Sequence, residues 1–107
     1  MIAALLVLCT CPDRRTALDL AGHLVQEGLA ACVNITAPVT PVYRWQGEVE
    51  QAEESLLLIK TSTTRYPELE EALRSRHPHE LPEIIAVPIQ HGLTEYLQWV
   101  EQCTTAS

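Results

Sequence analysis

Hydrophobic and polar positions recur with different periods along the chain, and each period predicts a different element. Residues 2–9 are apolar at every position, which predicts a strand buried on both faces. Residues 13–26 switch to helical spacing, and Asp13 and Gly28 suit the two ends of that helix. The predicted inner face of the helix comprises Ala17, Leu18, Leu20, Ala21, Leu24 and Val25.

The middle of the chain predicts a long hairpin. Residues 32–46 alternate with period two, and Gly47 supplies the turn because glycine tolerates positive φ. Pro38 and Pro41 interrupt the alternation, which predicts a bent or bulged strand at the edge of a sheet. Residues 48–61 return as a second strand that is acidic at first and apolar on both sides in its second half.

The last third of the chain predicts three more elements. These are a helix over residues 64–76, a strand over 84–89 that is apolar on both sides, and a short helix over 93–102. The order β-α-β-β-α-β plus a final helix is typical of an α+β, ferredoxin-like two-layer sandwich. We therefore expect a single domain over residues 1–107, with an antiparallel sheet in the order 4-1-3-2 and both long helices on one face.

The predicted strands carry more apolar surface than one copy of the chain can bury. Helices cover one face of the sheet, yet residues 2–8, 56–59 and 84–87 are apolar on both sides. Burial of apolar surface contributes ~25 cal/mol per Å2, so leaving that face in water would lose several kcal/mol of stabilising free energy. We therefore expect a homo-oligomer in which other copies of the chain cover the face. Tyr43 and Trp45, near the hairpin tip, are expected to anchor in a neighbouring copy.

Net charge and the search for targeting segments limit the partners and the compartment that the sequence predicts. The chain has 14 acidic and 7 basic residues and a net charge of −7, which disfavours nucleic acid and anionic membranes as partners and favours cations. The first apolar run is too short to span a bilayer and lacks the basic start of a signal peptide. We therefore expect a cytoplasmic protein with four reduced cysteines. No nucleophile elbow or phosphate loop is present, so we expect no enzyme.

Thiols and imidazoles converge at one end of the predicted sheet. Cys9 and Cys11 end the first strand at a spacing that points both thiols to the same side. His77 and His79 precede the last strand, which pairs antiparallel with the first. Such donors suit Cu(I) and zinc. The alternatives are a buried, apolar Cys9 and a loop stiffened by Pro78 in which the histidines have no function.

Other candidate residues lie elsewhere. Cys32 and Lys60 fall at the opposite end of the sheet, where a thiol beside an ammonium would be reactive, although a buried structural cysteine is the favoured alternative. Four glutamates on the hairpin predict a charged strand edge that blocks aggregation, with weak cation attraction as the alternative. They are Glu48, Glu50, Glu53 and Glu54.

Seven short motifs follow one another over nearly the whole chain. They are residues 8–13 (LCTCPD), 29–34 (LAACVN), 43–47 (YRWQG), 59–61 (IKT), 77–78 (HP), 82–84 (PEI) and 96–99 (YLQW). In their order and spacing they resemble signatures of the divalent-cation-tolerance (CutA) family. The resemblance implies a PII-like homotrimer whose hairpins extend the sheets of neighbouring subunits. It also implies tolerance to divalent cations, with copper or another divalent metal ion bound.

The resemblance also implies functional positions. The copper ligands proposed for the family fall here on Cys9, Arg76 and His77. Arg76 cannot ligate a cation, so either His79 takes its place or the site is weakened. A cleft between subunits, regarded as a small-ligand site, is lined by residues that correspond to Cys32, Trp45, Lys60 and Glu83.

The sequence therefore predicts a trimeric, non-enzymatic metal-tolerance protein with Cys9, His77 and His79 as metal ligands. Two other functions stay open. One is a PII-like signalling module that binds a small anion or a partner protein at the clefts between subunits. The other is an enzyme that uses Cys32 as its nucleophile.

Overall fold

Residues 3–105 are described by the computed structural model, and their elements follow the predicted order. The elements are β1 (Ala4–Cys11), α1 (Arg14–Gln26), β2 (Cys32–Ile35), β3 (Val42–Trp45), β4 (Glu48–Gln51), β5 (Ser55–Ser62), α2 (Tyr66–Arg76), β6 (Ile84–Pro88) and α3 (Thr94–Cys103). None of these helices has the length and apolar character that crossing a membrane requires. The predicted start of the first strand, residue 2, lies outside the described residues.

Four strands form an antiparallel sheet in the order β2-β5-β1-β6. This arrangement confirms the ferredoxin-like topology, since β2, β5, β1 and β6 correspond to the predicted strands 2, 3, 1 and 4. The register places Cys9 of β1 opposite Leu57 on one side and Ile84 on the other. The first strand continues two residues beyond its predicted end and pairs Cys11 with Ser55.

The core lies between the sheet and the helices α1 and α2. Alternate residues of β1 and β5 point into it, including both cysteines of β1. Its buried members are Val7, Cys9, Cys11, Ala17, Leu20, Leu24, Leu29, Ala30, Leu57, Ile59, Leu69 and Leu73. The predicted inner face of α1 was too wide, because Leu18 is 51 % and Val25 45 % exposed. The buried stripe of α1 is narrower and runs through Ala17, Leu20, Ala21 and Leu24.

The opposite face of the sheet is largely uncovered in one chain. In the middle of it, Leu8 lies between Leu58 and Ile85, and Ile85 is 52 % exposed. Helix α3 covers one end only, where Val100 packs against Ala4. We call the remaining apolar surface the open sheet face. It is formed by Leu6, Leu8, Leu56, Leu58, Ile85 and Val87.

The hairpin departs from the prediction, because each of its long strands is split in two. Pro38 and Pro41 lack the N–H groups that a continuous edge strand would donate, so the first strand stops after β2 and resumes as β3. Strands β3 and β4 pair with each other in a separate two-stranded sheet. The predicted turn is confirmed: Gln46 and Gly47 both have positive φ, of 51° and 84°.

Candidate metal centre

Two cysteines and one histidine bring their donor atoms together where β1 ends. The sulfur atoms of Cys9 and Cys11 and a ring nitrogen of His77 all lie within 4.8 Å of one another. Both cysteines are fully buried and His77 is 8 % exposed. The two thiols and one of the two candidate imidazoles therefore meet at the end of the sheet where the topology predicted them.

Local sequence explains how these side chains reach one point. The spacing of two residues along β1 turns both thiols toward the helices, and pairing with β5 keeps the strand regular as far as Cys11. Helix α2 ends at Arg76, and the His77 N–H donates to the Leu73 carbonyl at 2.9 Å. Pro78 forces an extended backbone at His77 (φ −73°, ψ 137°).

Both ring nitrogens of His77 are already hydrogen-bonded. Nε2 lies 2.6 Å from the carbonyl oxygen of Thr10, which can only accept, so Nε2 carries the proton. Nδ1 accepts a hydrogen bond from the backbone N–H of His79 at 3.0 Å. These two contacts select the neutral Nε2–H tautomer and tie the loop after α2 to β1.

The two thiols ionise as a pair. The neighbouring Cys11 thiol, followed by burial, raises the pKa of the Cys9 thiol far above its ordinary value, and the carboxylates of Glu83 and Glu54 raise it further. The interaction between the two thiols lowers the pKa of Cys11, although burial opposes that shift. A metal ion bound to both sulfurs must therefore displace the Cys9 proton, and its apparent affinity falls as the pH falls.

An acidic cleft of about 650 Å³ is lined by Thr10 and Pro78, which are the sequence neighbours of the three donor residues. One wall is the hairpin, through Trp45 and Glu50, and the other is the loop of residues 78–83. Glu54 also lines the cleft, and its carboxylate lies 3.9 Å from His79 Nε2. Carboxylates concentrated in a cleft attract cations toward it.

His79 lies in the acidic cleft and is not part of the three-donor group. Its ring centroid is 4.8 Å from that of His77, and its Nε2 faces Glu54. The proposed role of His79 as a ligand stays a prediction. Cys11 is the residue that the predicted ligand set left out, and its alternation with Cys9 along the strand was the signal that pointed to it.

The four residues assigned to a cleft between subunits fall into two separate pairs within one chain. Trp45 and Glu83 line the acidic cleft. Cys32 and Lys60 are register partners across β2 and β5, where the Lys60 ammonium donates to the Asn34 side chain. One chain does not bring the two pairs together, so a joint site stays a prediction about the assembly.

Comparison with known proteins identifies relatives of this chain by sequence and by fold. The model of the family described as CutA1 divalent ion tolerance protein matches residues 5–103. The divalent-cation tolerance protein CutA of Thermus thermophilus is 49 % identical over 98 residues, 92 % of this chain and 95 % of that protein. The human protein named CutA is 43 % identical over 95 residues, 89 % of this chain. This chain spans about half of the human protein, 53 % of its length.

Solved structures of CutA proteins share the fold of this chain. The divalent cation tolerance protein of Thermus thermophilus superposes with a TM-score of 0.93 at 47 % identity, covering 95 % of this chain and 99 % of that one. The CutA1 structure from Oryza sativa superposes with a TM-score of 0.95 at 38 % identity, covering 99 % of this chain and 97 % of that one. This chain therefore belongs to the CutA1 divalent ion tolerance protein family.

Proposed function

We propose that this protein contributes to divalent-cation tolerance by binding copper, and that Cys9, Cys11 and His77 form the binding site. The observation that carries the proposal is the meeting of three buried donor atoms within 4.8 Å. Zinc–sulfur bonds are about 2.3 Å long, so the donors would have to close by roughly 1 Å around one ion. The names of the relatives supply the link to divalent cations. Cu(I), the oxidation state that the donor set favours, is monovalent, so Cu2+ would first be reduced by cellular thiols such as glutathione.

The donor set favours one oxidation state of copper. Thiolate and imidazole ligands suit Cu(I) and zinc more than hard cations such as magnesium. The described residues 3–105 contribute three donors to this group, and two of them are soft thiols. A zinc site with three protein ligands needs a water molecule as its fourth ligand, whereas soft thiolates select Cu(I), so we take Cu(I) as the preferred ion. The thiols must be reduced to bind it, which fits the cytoplasm as the compartment.

The proposed assembly is a homotrimer that covers the open sheet face. Two features of the single chain support it. The open sheet face leaves large apolar side chains in water, and the β3–β4 hairpin is a two-stranded ribbon of a kind that is marginally stable alone. On that ribbon Val42 and Val49 are 65 % and 69 % exposed. Contact with neighbouring copies would bury both surfaces.

A signalling function at the clefts is the second candidate, and the acidic cleft is the observation that favours it. Its volume suits a small molecule, and Trp45 gives it an aromatic wall against which such a molecule can pack. The carboxylates of Glu50, Glu54 and Glu83 in the same cleft favour a cationic ligand over the small anion expected from the sequence. This function does not require metal at the three donors.

Titration with Cu(I) under anaerobic conditions tests the proposal. In competition with a chromophoric Cu(I) chelator, we expect the wild-type protein to take up one ion per chain. The Cys32→Ser and Cys103→Ser variants should take up the same amount, because neither thiol belongs to the three-donor group. A wild-type protein that leaves all copper with the chelator would contradict the proposal.

A further inference from the structure

We propose that metal ligation by His77 releases the loop of residues 78–83, so that occupancy of the buried donors is transmitted to the acidic cleft. The inference rests on the proposed metal site and adds a function to it, because the protein would then sense the metal as well as hold it. Two hydrogen bonds of the His77 ring carry it, together with the limited ways in which a neutral imidazole can be protonated.

His77 has no free ring nitrogen to offer. Nε2–H donates to the Thr10 carbonyl and Nδ1 accepts from the His79 N–H. A neutral imidazole carries one proton, and it ligates a metal through the nitrogen that lacks it. Ligation therefore competes with the hydrogen bonds that the structure shows.

Either choice of ligating nitrogen breaks the same bond. If Nδ1 ligates, its lone pair is no longer available to the His79 N–H. If Nε2 ligates, the ring proton moves to Nδ1, and two N–H groups then face each other between His77 and His79. The bond to Thr10 survives in the first case and is lost in the second. The His79 N–H loses its acceptor in both.

The hydrogen bond from the His79 N–H to His77 Nδ1 is the main polar contact, or tie, that holds the loop of residues 78–83. Within residues 3–105, it is the one hydrogen bond that a backbone N–H of residues 79–83 donates. The other polar tie is the contact of His79 Nε2 with Glu54, at 3.9 Å, and it starts from the same residue. Loss of the tie frees the loop that forms one wall of the acidic cleft, opposite Trp45.

The coupling works in both directions. A ligand or partner that holds the loop in place at the acidic cleft also holds the His79 N–H on His77, and so opposes ligation by His77. Because linkage is reciprocal, metal binding weakens that partner by the same factor. The three-donor group and the acidic cleft are thus antagonistic sites.

A pair of substitutions at one position separates the role of the His79 N–H from the role of the His79 ring. His79→Pro removes the ring and the N–H, whereas His79→Ala removes the ring and keeps the N–H. We expect His79→Pro to bind Cu(I) about 2- to 10-fold more tightly than His79→Ala, the range set by one neutral hydrogen bond. Equal affinities in the two folded variants would overturn the inference.

Amide hydrogen exchange of the wild-type protein provides a test that needs no substitution. With one equivalent of Cu(I) per chain, we expect exchange at the His79 amide to accelerate about tenfold, the factor for losing a hydrogen bond of ordinary strength. Copper uptake is measured on the same sample. Absence of uptake counts against the proposed metal site itself, whereas full uptake with an unchanged His79 amide overturns the release of the loop alone.

Discussion

Replacing Leu8 by aspartate is expected to convert the proposed homotrimer into folded monomers. Leu8 lies at the centre of the open sheet face, between Leu58 and Ile85. In an assembly that covers this face, an unpaired carboxylate there would be buried at a cost of several kcal/mol. In the monomer the side chain at position 8 is only partly buried, so the carboxylate still reaches water and the fold tolerates it. Sedimentation velocity should show the mass fall from three chains to one, with an unchanged circular dichroism spectrum.

A matched control comes from the other side of the molecule. Leu18→Asp makes the same chemical change at a leucine of α1 that is 51 % exposed and lies outside the core cluster. This variant should sediment as the wild-type protein does. A wild-type protein that sediments as a monomer at micromolar concentration, or a Leu8→Asp variant that stays assembled, would contradict the account of the open sheet face.

Removing both thiols of the candidate metal centre is expected to weaken Cu(I) binding by more than the ~10–100-fold that loss of an outer-shell partner costs. The variant Cys9→Ala/Cys11→Ala keeps His77 as the single donor of the group. One imidazole is a poor site for a soft cation, so the copper should pass to the chelator in an anaerobic competition titration.

The effect on the fold must be separated from the effect on binding. Both cysteines are core residues, and replacing sulfur by a hydrogen leaves only a small void, so the variant should still unfold cooperatively. The matched control is Cys32→Ala/Cys103→Ala, which removes two thiols outside the group. Equal copper affinity in the two double variants would show that the three-donor group is not the binding site.

The ferredoxin-like order of the sheet could be predicted because local periods mark the three helices and the four strands of the main sheet. Antiparallel pairing of the first and last strands was then enough to place Cys9, Cys11 and the residues after α2 at one end of the sheet. The hairpin turn could also be predicted from neighbouring residues alone, and Gly47 adopts the expected positive φ.

Side-chain direction outside regular elements could not be predicted in the same way. His77 and His79 flank one proline, yet His77 turns under β1 and His79 turns toward Glu54. The difference comes from a tertiary hydrogen bond to Thr10, which no local pattern encodes. The excess width assigned to the inner face of α1 has a similar origin, because how far a helix is buried depends on the elements packed beside it.

The sequence predicts that the chain assembles, but it does not predict the number of copies. Apolar residues on both sides of the strands predict that something covers the open sheet face, and the exposed Ile85 and Val87 agree with that expectation. The number of copies, and the expected joint site of Cys32 and Lys60 with the acidic cleft, depend on contacts between chains.

The central claim is that two thiols and one imidazole hold the copper. X-ray absorption spectroscopy at the copper edge tests it directly, on wild-type protein loaded anaerobically with one equivalent of Cu(I). We predict a first coordination shell of two sulfur atoms, from Cys9 and Cys11, and one nitrogen atom, from His77. A shell made of nitrogen and oxygen alone, or a sulfur shell that persists in Cys9→Ala/Cys11→Ala, would contradict the account.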